Sequence, residues 1–384
     1  MRRLTNVRLP NPISHCEGDL WWVLLDDEDI LLAINPMEHG SALAGESWQG
    51  DWLSPMGLDL QMNGGLGLSF PELTFDDLPK LFELLDRLWL DGVEAICPTF
   101  VTCDLASLHL GLSVLREARK NSSKQRCKLL GAHLEGPFLS ENRKGAHNSK
   151  YLRSPTFSAL DDLIGGIEDD IDLFTLAPEL NGSLDLIKRL NSLNVVVCLG
   201  HSSANDKESK LAFADGVRML THAFNAMPGL QHRSPGPIGA ALHDGDIAIG
   251  LIADGVHVHP HIVSFLQRLA ARQLVLVSDA ISPYGLNDGR YKWDKRTVLS
   301  ENGSCWLEDG TLAGSTVPLL DACKNLSRWT RNPTSAIWSA TIAPRLVLDR
   351  EQKFDNYLLG RPLNELLRWT MNTQHDELSW HQAA

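Results

Sequence analysis

The 384-residue chain contains no Cys-x-x-Cys pair, although it has seven cysteines. The cysteines are odd in number and widely scattered, at positions 16, 97, 103, 127, 198, 305 and 323. Such a distribution is typical of reduced thiols and argues against both a disulfide framework and a cysteine zinc site. The cysteine pattern therefore predicts a cytoplasmic protein.

Long apolar segments are also missing. The run LWWVLL at 20–25 is far too short to span a bilayer, which requires about 20 apolar residues. The first residues, MRRLTNVRLPNPI, have no continuous apolar core of the kind that a secretory signal peptide contains. Both observations agree with a cytoplasmic location and predict no membrane partner.

Positive charge is scarce, because 35 Lys and Arg stand against 48 Asp and Glu, giving a formal net charge of −13. Nucleic acids and anionic membrane surfaces are bound by basic patches, so neither is expected as a partner. Small anions are still expected ligands, since one arginine in a pocket can hold them. The 43% hydrophobic and 22% charged composition is that of an ordinary globular protein.

Short apolar runs recur from residue 57 onward, and helical patterns lie between many of them. Because the runs are continuously apolar, they predict strands that are covered on both faces. In residues 75–92, leucines at spacings of three and four, with Pro79 near the start and Gly92 at the end, predict an amphipathic helix. Eight alternations favour an α/β protein with a (β/α)8 barrel, and periodicity alone leaves an open doubly wound sheet as the alternative. The runs cover residues 57–62, 93–100, 129–136, 172–180, 195–202, 219–226, 248–255 and 274–281.

The two ends of the chain do not follow this alternation. The N-terminal region holds four tryptophans among turn residues, and the C-terminal region holds two alternating runs separated by a polar turn. Both patterns predict β-strands. We predict a catalytic barrel domain over 55–347 and a small β-sandwich domain formed by 1–54 together with 348–384. The tryptophans, Trp48 and Trp52 among them, are expected to pack in a core rather than to stack on a ligand.

Polar side chains end several of the predicted strands, and the active site of such a barrel lies at the carboxyl ends of its strands. Each side chain alone has a structural explanation, such as a hydrogen-bonded core histidine or a turn-forming aspartate. Their recurrence at equivalent positions on different strands instead predicts one shared site. These residues are Gln61, Asn63, His133, Glu135, His201, His222, Asp254 and Asp279.

Glu135, His201 and His222 are the strongest candidates for a metal site. An ionised carboxylate at the end of a buried strand costs free energy unless a cation or hydrogen-bond donors meet it. One carboxylate and two imidazoles at the mouth of a barrel suit a catalytic divalent metal with one position left for water. Asp279 would face the same mouth, where it could accept a proton from water and deliver it to a leaving group.

A set of motifs runs in a fixed order between residues 57 and 317, namely HLEGPF, KGAH, LGHSSA, THAFNAMP, ADGVHV, LVSDAISP and TLAGS. In order and spacing this set resembles the N-acetylglucosamine-6-phosphate deacetylases of the amidohydrolase superfamily. The resemblance implies a metal-bearing (β/α)8 barrel beside a small β-sandwich, and a homodimer. It implies hydrolysis of N-acetylglucosamine 6-phosphate to glucosamine 6-phosphate and acetate. The C-terminal tail does not resemble the family in detail.

The resemblance also implies roles for individual residues. Glu135, His201 and His222 match the metal ligands, and Asp279 matches the catalytic acid and base. His147 matches a catalytic residue that contacts the substrate and helps to polarise the acetyl carbonyl. The positions that match substrate-binding residues are Ala146, His147, Asn225, Ala226, Arg233, His257, Leu312, Ala313 and Gly314.

Two of these matches concern recognition of the sugar phosphate. Arg233 and His257 match the pair that binds phosphate and sugar, and arginine suits this role because its planar fork donates two hydrogen bonds to one anion. Residues 301–314 contain ENG and EDG turns and predict a hairpin that closes over the substrate as a flap. Substrate choice is therefore expected to depend on Arg233, His257 and this hairpin.

The end of the first predicted strand departs from the pattern of many amidohydrolases, whose His-x-His sequence there binds a second metal. Gln61 and Asn63 occupy the corresponding positions, and neutral amides are poorer zinc ligands than imidazole. We therefore predict one divalent metal ion per chain, zinc in the first place, with Fe, Co or Mn as alternatives. Two other hypotheses stay open: an amidohydrolase acting on another N-acyl sugar phosphate, and a catalytically silent sugar-phosphate-binding protein.

Overall fold

The computed structural model describes residues 1–11, 20–38, 43–121, 123–349, 351–372 and 374–384. The N-terminal region consists of β-strands, as the sequence predicts. The strands are β1 (Arg2–Val7), β2 (Trp21–Leu25), β3 (Leu31–Pro36), β4 (Glu46–Ser47) and β5 (Trp52–Pro55). The first four form one sheet in the order β3-β2-β1-β4, in which β2 is antiparallel to both β1 and β3.

A parallel barrel follows. Its strands in this part of the chain, with three short accessory strands (β7, β8 and β10), are β6 (Gly57–Met62), β7 (Gly64–Gly65), β8 (Leu68–Ser69), β9 (Val93–Val101), β10 (Lys128–Leu129), β11 (Ala132–Glu135), β12 (Ile171–Leu176), β13 (Val196–Leu199), β14 (Val217–Leu220), β15 (Ala248–Leu251) and β16 (Leu274–Leu276). The parallel order is β6-β9-β11-β12-β13-β14-β15-β16. A bridge between Met62 and Ala280 joins the first strand to the segment after the last. The prediction of a barrel is therefore confirmed.

Helices connect the barrel strands and cover them. Within the described residues the α-helices are α1 (Leu78–Leu90), α2 (Leu105–Lys120), α3 (Phe157–Ile164), α4 (Ser183–Ser192), α5 (Asp206–Ala214), α6 (Gly236–Asp244), α7 (Pro260–Ala270), α8 (Leu319–Thr330), α9 (Pro333–Thr341) and α10 (Ala343–Leu348). In α1, Leu81, Leu85 and Leu88 are buried, as their spacing predicts. None of these helices is both long enough and apolar enough to cross a bilayer.

Apolar side chains fill the inside of the barrel. Leu58 and Leu60 of β6 belong to a buried cluster with Leu173 of β12. Trp338 of α9 and Ile342, the residue after α9, belong to the same cluster. Because Leu58 lies near the start of its strand, this packing closes the amino-terminal end of the barrel. The carboxyl ends of the strands are therefore the open end.

An antiparallel sheet is inserted between the last barrel strand and α8. It consists of β17 (Gly289–Trp293), β18 (Arg296–Glu301), β19 (Ser304–Leu307) and β20 (Leu312–Ser315), in that order. Residues 301–314, predicted as a hairpin, lie within this sheet, which we call the flap sheet. Ala280 and Ser315 form a bridge that attaches it to the barrel.

The C-terminal region forms the predicted pair of strands, β21 (Leu366–Asn372) and β22 (Glu377–Gln382), and β21 also pairs with β5. Residues from both ends of the chain share a buried apolar cluster that includes Leu4, Trp48 and Leu366. Trp48 and Trp52 are buried, so the expectation of core packing is confirmed for both. The division into two domains at the predicted boundaries stays a prediction.

Candidate active site

A cavity of about 330 Å³ lies at the carboxyl ends of the barrel strands. It brings together residues that are far apart in the sequence. Of the residues singled out in the sequence, it is lined by Asn63, Glu135, Ala146, His147, His201, His222, Asn225, Ala226, His257, Asp279, Leu312, Ala313 and Gly314. The strand ends and the flap sheet therefore form one site.

Glu135, His201 and His222 meet at the centre of this cavity. Oε1 of Glu135 lies 3.0 Å from Nε2 of His201 and 2.9 Å from Nε2 of His222, and the two Nε2 atoms are 3.1 Å apart. All three side chains are buried. A triangle of this size is close to that of three ligands around one ion with bonds of about 2 Å. The donor set thus fits a divalent metal.

The surroundings orient His201 and affect the charge of Glu135. The carbonyl of Arg143 accepts a hydrogen bond from Nδ1 of His201 at 2.9 Å, which leaves Nε2 to face Glu135. Burial alone raises the pKa of Glu135, but the contacts of its carboxylate with the imidazoles of His201 and His222 outweigh burial and hold the pKa well below its usual range. The carboxylate is therefore ionised, as a metal ligand must be.

The backbone is strained where the site residues leave their strands. His201, His222 and Asp279 have φ of 47°, 29° and 48°. Non-glycine residues rarely adopt this left-handed region, and holding one there costs roughly 1–3 kcal/mol. The sharp turn aims each side chain at the barrel mouth rather than along the strand. The strain is thus located at the site.

His147 also approaches the three ligands. Its Nε2 lies 3.9 Å from Oε2 of Glu135, and Glu135, His147 and His201 place their ligand atoms within 4.8 Å of one another. However, the backbone N–H of Thr102 donates to Nδ1 of His147 at 3.2 Å. Burial first, and then the charge of His201, lower the pKa of His147 to about 3, so its ring is neutral. A neutral ring that accepts at Nδ1 carries its proton on Nε2, which makes it a donor into the cavity rather than a ligand.

Asp279 is held by the two amides of the first barrel strand. Asn63 donates to its Oδ1 at 2.7 Å, and Gln61 donates to the same atom at 3.2 Å and to Oε1 of Glu135 at 3.2 Å. Burial, reinforced by the charge of Glu135, raises the pKa of Asp279 to about 6. Gln61 therefore bridges the two carboxylates by hydrogen bonds, and Asn63 holds Asp279 alone.

Other predicted residues lie outside this centre. His133 is a core residue, because its ring contacts the carbonyl of Leu60 at 3.0 Å and the hydroxyl of Thr175 at 2.7 Å. Asp254 does not face the ligands and instead pairs with His257. Arg233 is exposed in the segment between β14 and α6 and does not line the cavity. Its pairing with His257 stays a prediction.

The cavity also contains residues that the sequence reasoning missed. Val101, Asn142, Arg143, Gly145 and Trp293 line it. Asn142, Arg143 and Gly145 lie just before the KGAH motif or inside it. Their closeness to His147 in the sequence could therefore have identified them as site residues. Trp293 belongs to the flap sheet, and no motif marks it.

A parallel (β/α)8 barrel with a carboxylate, two imidazoles and an acidic residue at its strand ends has the architecture of a metal-dependent hydrolase. The chain is 33% identical to the N-acetylglucosamine-6-phosphate deacetylase of Vibrio furnissii over 336 residues, which covers 84% of this chain and 83% of the relative. The chain belongs to the N-acetylglucosamine-6-phosphate deacetylase family.

Two further comparisons agree with this assignment. The N-acetylgalactosamine-6-phosphate deacetylase of Escherichia coli O157:H7 is 36% identical over 301 residues, covering 77% of this chain and 78% of the relative. The crystal structure of the N-acetylglucosamine-6-phosphate deacetylase of Thermotoga maritima matches with a TM-score of 0.78 and 27% identity, covering 99% of this chain and 98% of that one. No family model matches the sequence.

Proposed function

We propose that the chain hydrolyses the acetamide of N-acetylglucosamine 6-phosphate to give glucosamine 6-phosphate and acetate. The observation that carries this proposal is the triangle of Glu135, His201 and His222 with Asp279 and His147 around the same cavity. These three ligands would hold one divalent ion, zinc in the first place, with Fe, Co or Mn as alternatives. When bound, such an ion activates water and polarises a carbonyl group.

Asp279 acts as the acid and base in this proposal. Its Oδ1 is fixed by Asn63 and Gln61, and the side chain borders the cavity. The carboxylate accepts a proton from the attacking water and then delivers that proton to the departing amine. A buried carboxylate suits both steps, because burial raises its affinity for the proton.

His147 stabilises the negative charge that develops on the acetyl oxygen. Its Nε2–H points into the cavity because Thr102 occupies Nδ1. A donor held in place before the reaction stabilises this charge without reorganisation. His147 and the three side chains that would hold the metal line the same cavity, so the acetyl group would lie between them.

Remote contacts hold the sugar phosphate. His257, Asn225, Ala226 and the flap residues line the cavity and are the proposed contacts of this part of the substrate. We also propose a homodimer, in which phosphate binding is completed near the subunit interface. That arrangement would account for a role of Arg233, which is exposed on its own chain. We place the enzyme in the cytoplasm, in agreement with the unpaired cysteines of the described residues.

Acetate release by the purified, zinc-supplemented protein tests the proposal. N-acetylglucosamine 6-phosphate, its unphosphorylated sugar and N-acetylgalactosamine 6-phosphate are compared, the last because of the 36% identical relative that is named for it. We expect release mainly from the phosphorylated glucosamine derivative. Preference for the galactosamine epimer would reassign the substrate, and binding without release would favour a silent sugar-phosphate-binding protein.

A further inference from the structure

His257 borders the cavity next to a buried carboxylate that the proposed reaction does not use. Nδ1 of His257 lies 2.6 Å from Oδ2 of Asp254, and the two side chains are 5% and 1% exposed. An ionised carboxylate can only accept a hydrogen bond, so Nδ1 carries a proton. The ring atom that is left for a ligand in the cavity is therefore Nε2.

Asp254 is itself fixed from several sides. Its Oδ1 accepts the backbone N–H groups of Val256 at 2.9 Å and of His257 at 2.8 Å. Burial raises the pKa of Asp254, but the hydrogen bond and charge of His257 and these N–H groups outweigh burial and lower it below its ordinary value. The ionised carboxylate accepts the Nδ1 proton of His257 and thereby fixes the orientation of the ring.

The flap sheet contacts the same carboxylate. The hydroxyl of Ser304 donates to Oδ2 of Asp254 at 3.3 Å, and Ser304 is buried. Ser304 pairs with Ser315 across β19 and β20, and β20 supplies Leu312, Ala313 and Gly314 to the cavity wall. The wall that faces the substrate is thus connected to His257 through Asp254.

We propose that Asp254 is a positioning residue that fixes the ring of His257 so that Nε2 faces the phosphate group of the substrate. The inference rests on the proposed function, in which His257 contacts the sugar phosphate. A hydrogen bond in which one partner is ionised, as the phosphate group is, is roughly twice as strong as one between neutral groups. Asp254 therefore sets the preference for the phosphorylated sugar, and Ser304 contributes to the same preference by fixing the carboxylate.

Steady-state kinetics of Asp254→Asn test this role. Asparagine keeps the shape and its Oδ1 can still accept the two backbone N–H groups, but its Nδ2 group cannot accept the Nδ1 proton of His257. We expect the KM for N-acetylglucosamine 6-phosphate to rise about tenfold, the effect of losing one well-oriented hydrogen bond to an anion. The kcat for this substrate should change less than about threefold, because the phosphate contact is made equally in the ground and transition states. The kcat/KM for the unphosphorylated sugar should also change less than about threefold, because that sugar makes no phosphate contact.

Asp26→Asn is the matched control. Oδ1 of Asp26 also accepts two backbone N–H groups, from Glu28 at 2.9 Å and from Ile30 at 2.8 Å, but it lies in the N-terminal region. This variant removes the same charge from a carboxylate that likewise accepts two backbone N–H groups. Its KM for the phosphorylated sugar should equal that of the wild-type protein.

A double-mutant cycle with His257→Asn separates positioning from general damage. If Asp254 acts through His257, adding Asp254→Asn to His257→Asn should leave KM unchanged. A rise in KM in both backgrounds, or an equal loss of kcat on both sugars, would show a structural role and overturn the inference. If Asp254→Asn fails to fold by thermal unfolding, Ser304→Ala takes its place in the cycle, with an expected rise of about two- to threefold.

The outcomes also distinguish the inference from the proposed function. A wild-type protein that releases no acetate from the phosphorylated sugar would refute the function, and the inference with it. An active wild-type protein whose Asp254→Asn variant keeps the wild-type KM would refute the inference alone.

Discussion

Replacing Glu94 with glutamine should destabilise the protein by weakening a buried ion cluster at the amino-terminal end of the barrel. Glu94 lies near the start of β9 and accepts hydrogen bonds from Arg345 of α10 at 2.5 Å and from two nitrogens of Arg361 at 2.9 and 2.7 Å. Lys128 lies 3.4 Å away. The cluster therefore ties the barrel to the segment that leads to the C-terminal strands.

The size of the effect follows from the pKa of Glu94. Burial alone raises this pKa, but Arg345 and Arg361 outweigh burial and lower it from 4.5 to about 2. At about 1.4 kcal/mol per pKa unit, the charged form contributes roughly 3 kcal/mol to the free energy of unfolding. Because the pKa is lower in the folded state, this contribution is complete above about pH 4.5 and is lost as the pH falls towards 2. Truncating one partner of a buried ion pair typically costs a similar amount, about 3–5 kcal/mol.

Thermal unfolding followed by circular dichroism measures the prediction. At pH 7 the Tm of Glu94→Gln should lie several degrees below that of the wild-type protein, and the difference should shrink as the pH falls below 4.5. Glu308→Gln is the control, because Glu308 pairs with Arg290 at 3.2 Å with both side chains 70% exposed. Such surface pairs contribute about 0–1 kcal/mol. Equal Tm values for the two variants, or a difference that is independent of pH, would refute the reasoning.

Two further substitutions test the site. Asp279→Asn should fold and bind metal, yet lose about 10²–10⁴-fold in kcat because the proton acceptor is gone; normal turnover would remove Asp279 from the mechanism. Thr102→Val keeps the backbone N–H but loses the hydroxyl that lies 2.9 Å from Nδ1 of His147. We expect a several-fold lower kcat with unchanged metal content, and recovery in Thr102→Ser; a loss of metal in Thr102→Val would instead indicate that His147 is a ligand.

The barrel could be predicted because strands that are covered on both faces leave continuous apolar runs in the sequence. The ends of those strands could not be predicted from apolarity. The run over 274–281 contains a strand only at Leu274–Leu276. The rest of the run leaves the strand and includes Asp279 in a left-handed conformation. Apolar periodicity does not distinguish a strand from a buried turn, so the predicted strand was too long.

The convergence of Glu135, His201 and His222 could be predicted because a parallel barrel brings equivalent strand ends to one face, whatever their separation in sequence. Residues placed by loops could not be predicted in the same way. Trp293 reaches the cavity only because the flap sheet folds back over the barrel. Asp254 was expected at the mouth from its strand end, but its carboxylate turns towards His257, three residues later. The orientation of the Asp254 carboxylate depends on local backbone geometry, which the residue type does not indicate.

Titration of metal-free protein with Zn²⁺, with acetate release from N-acetylglucosamine 6-phosphate measured at each step, tests the central claim most directly. Turnover should rise linearly and reach its plateau at one equivalent per chain, because Glu135, His201 and His222 form one ligand set and Gln61 and Asn63 occupy the positions of a second. A plateau at two equivalents, or no acetate release at any zinc concentration, would contradict a single-metal sugar-phosphate deacetylase.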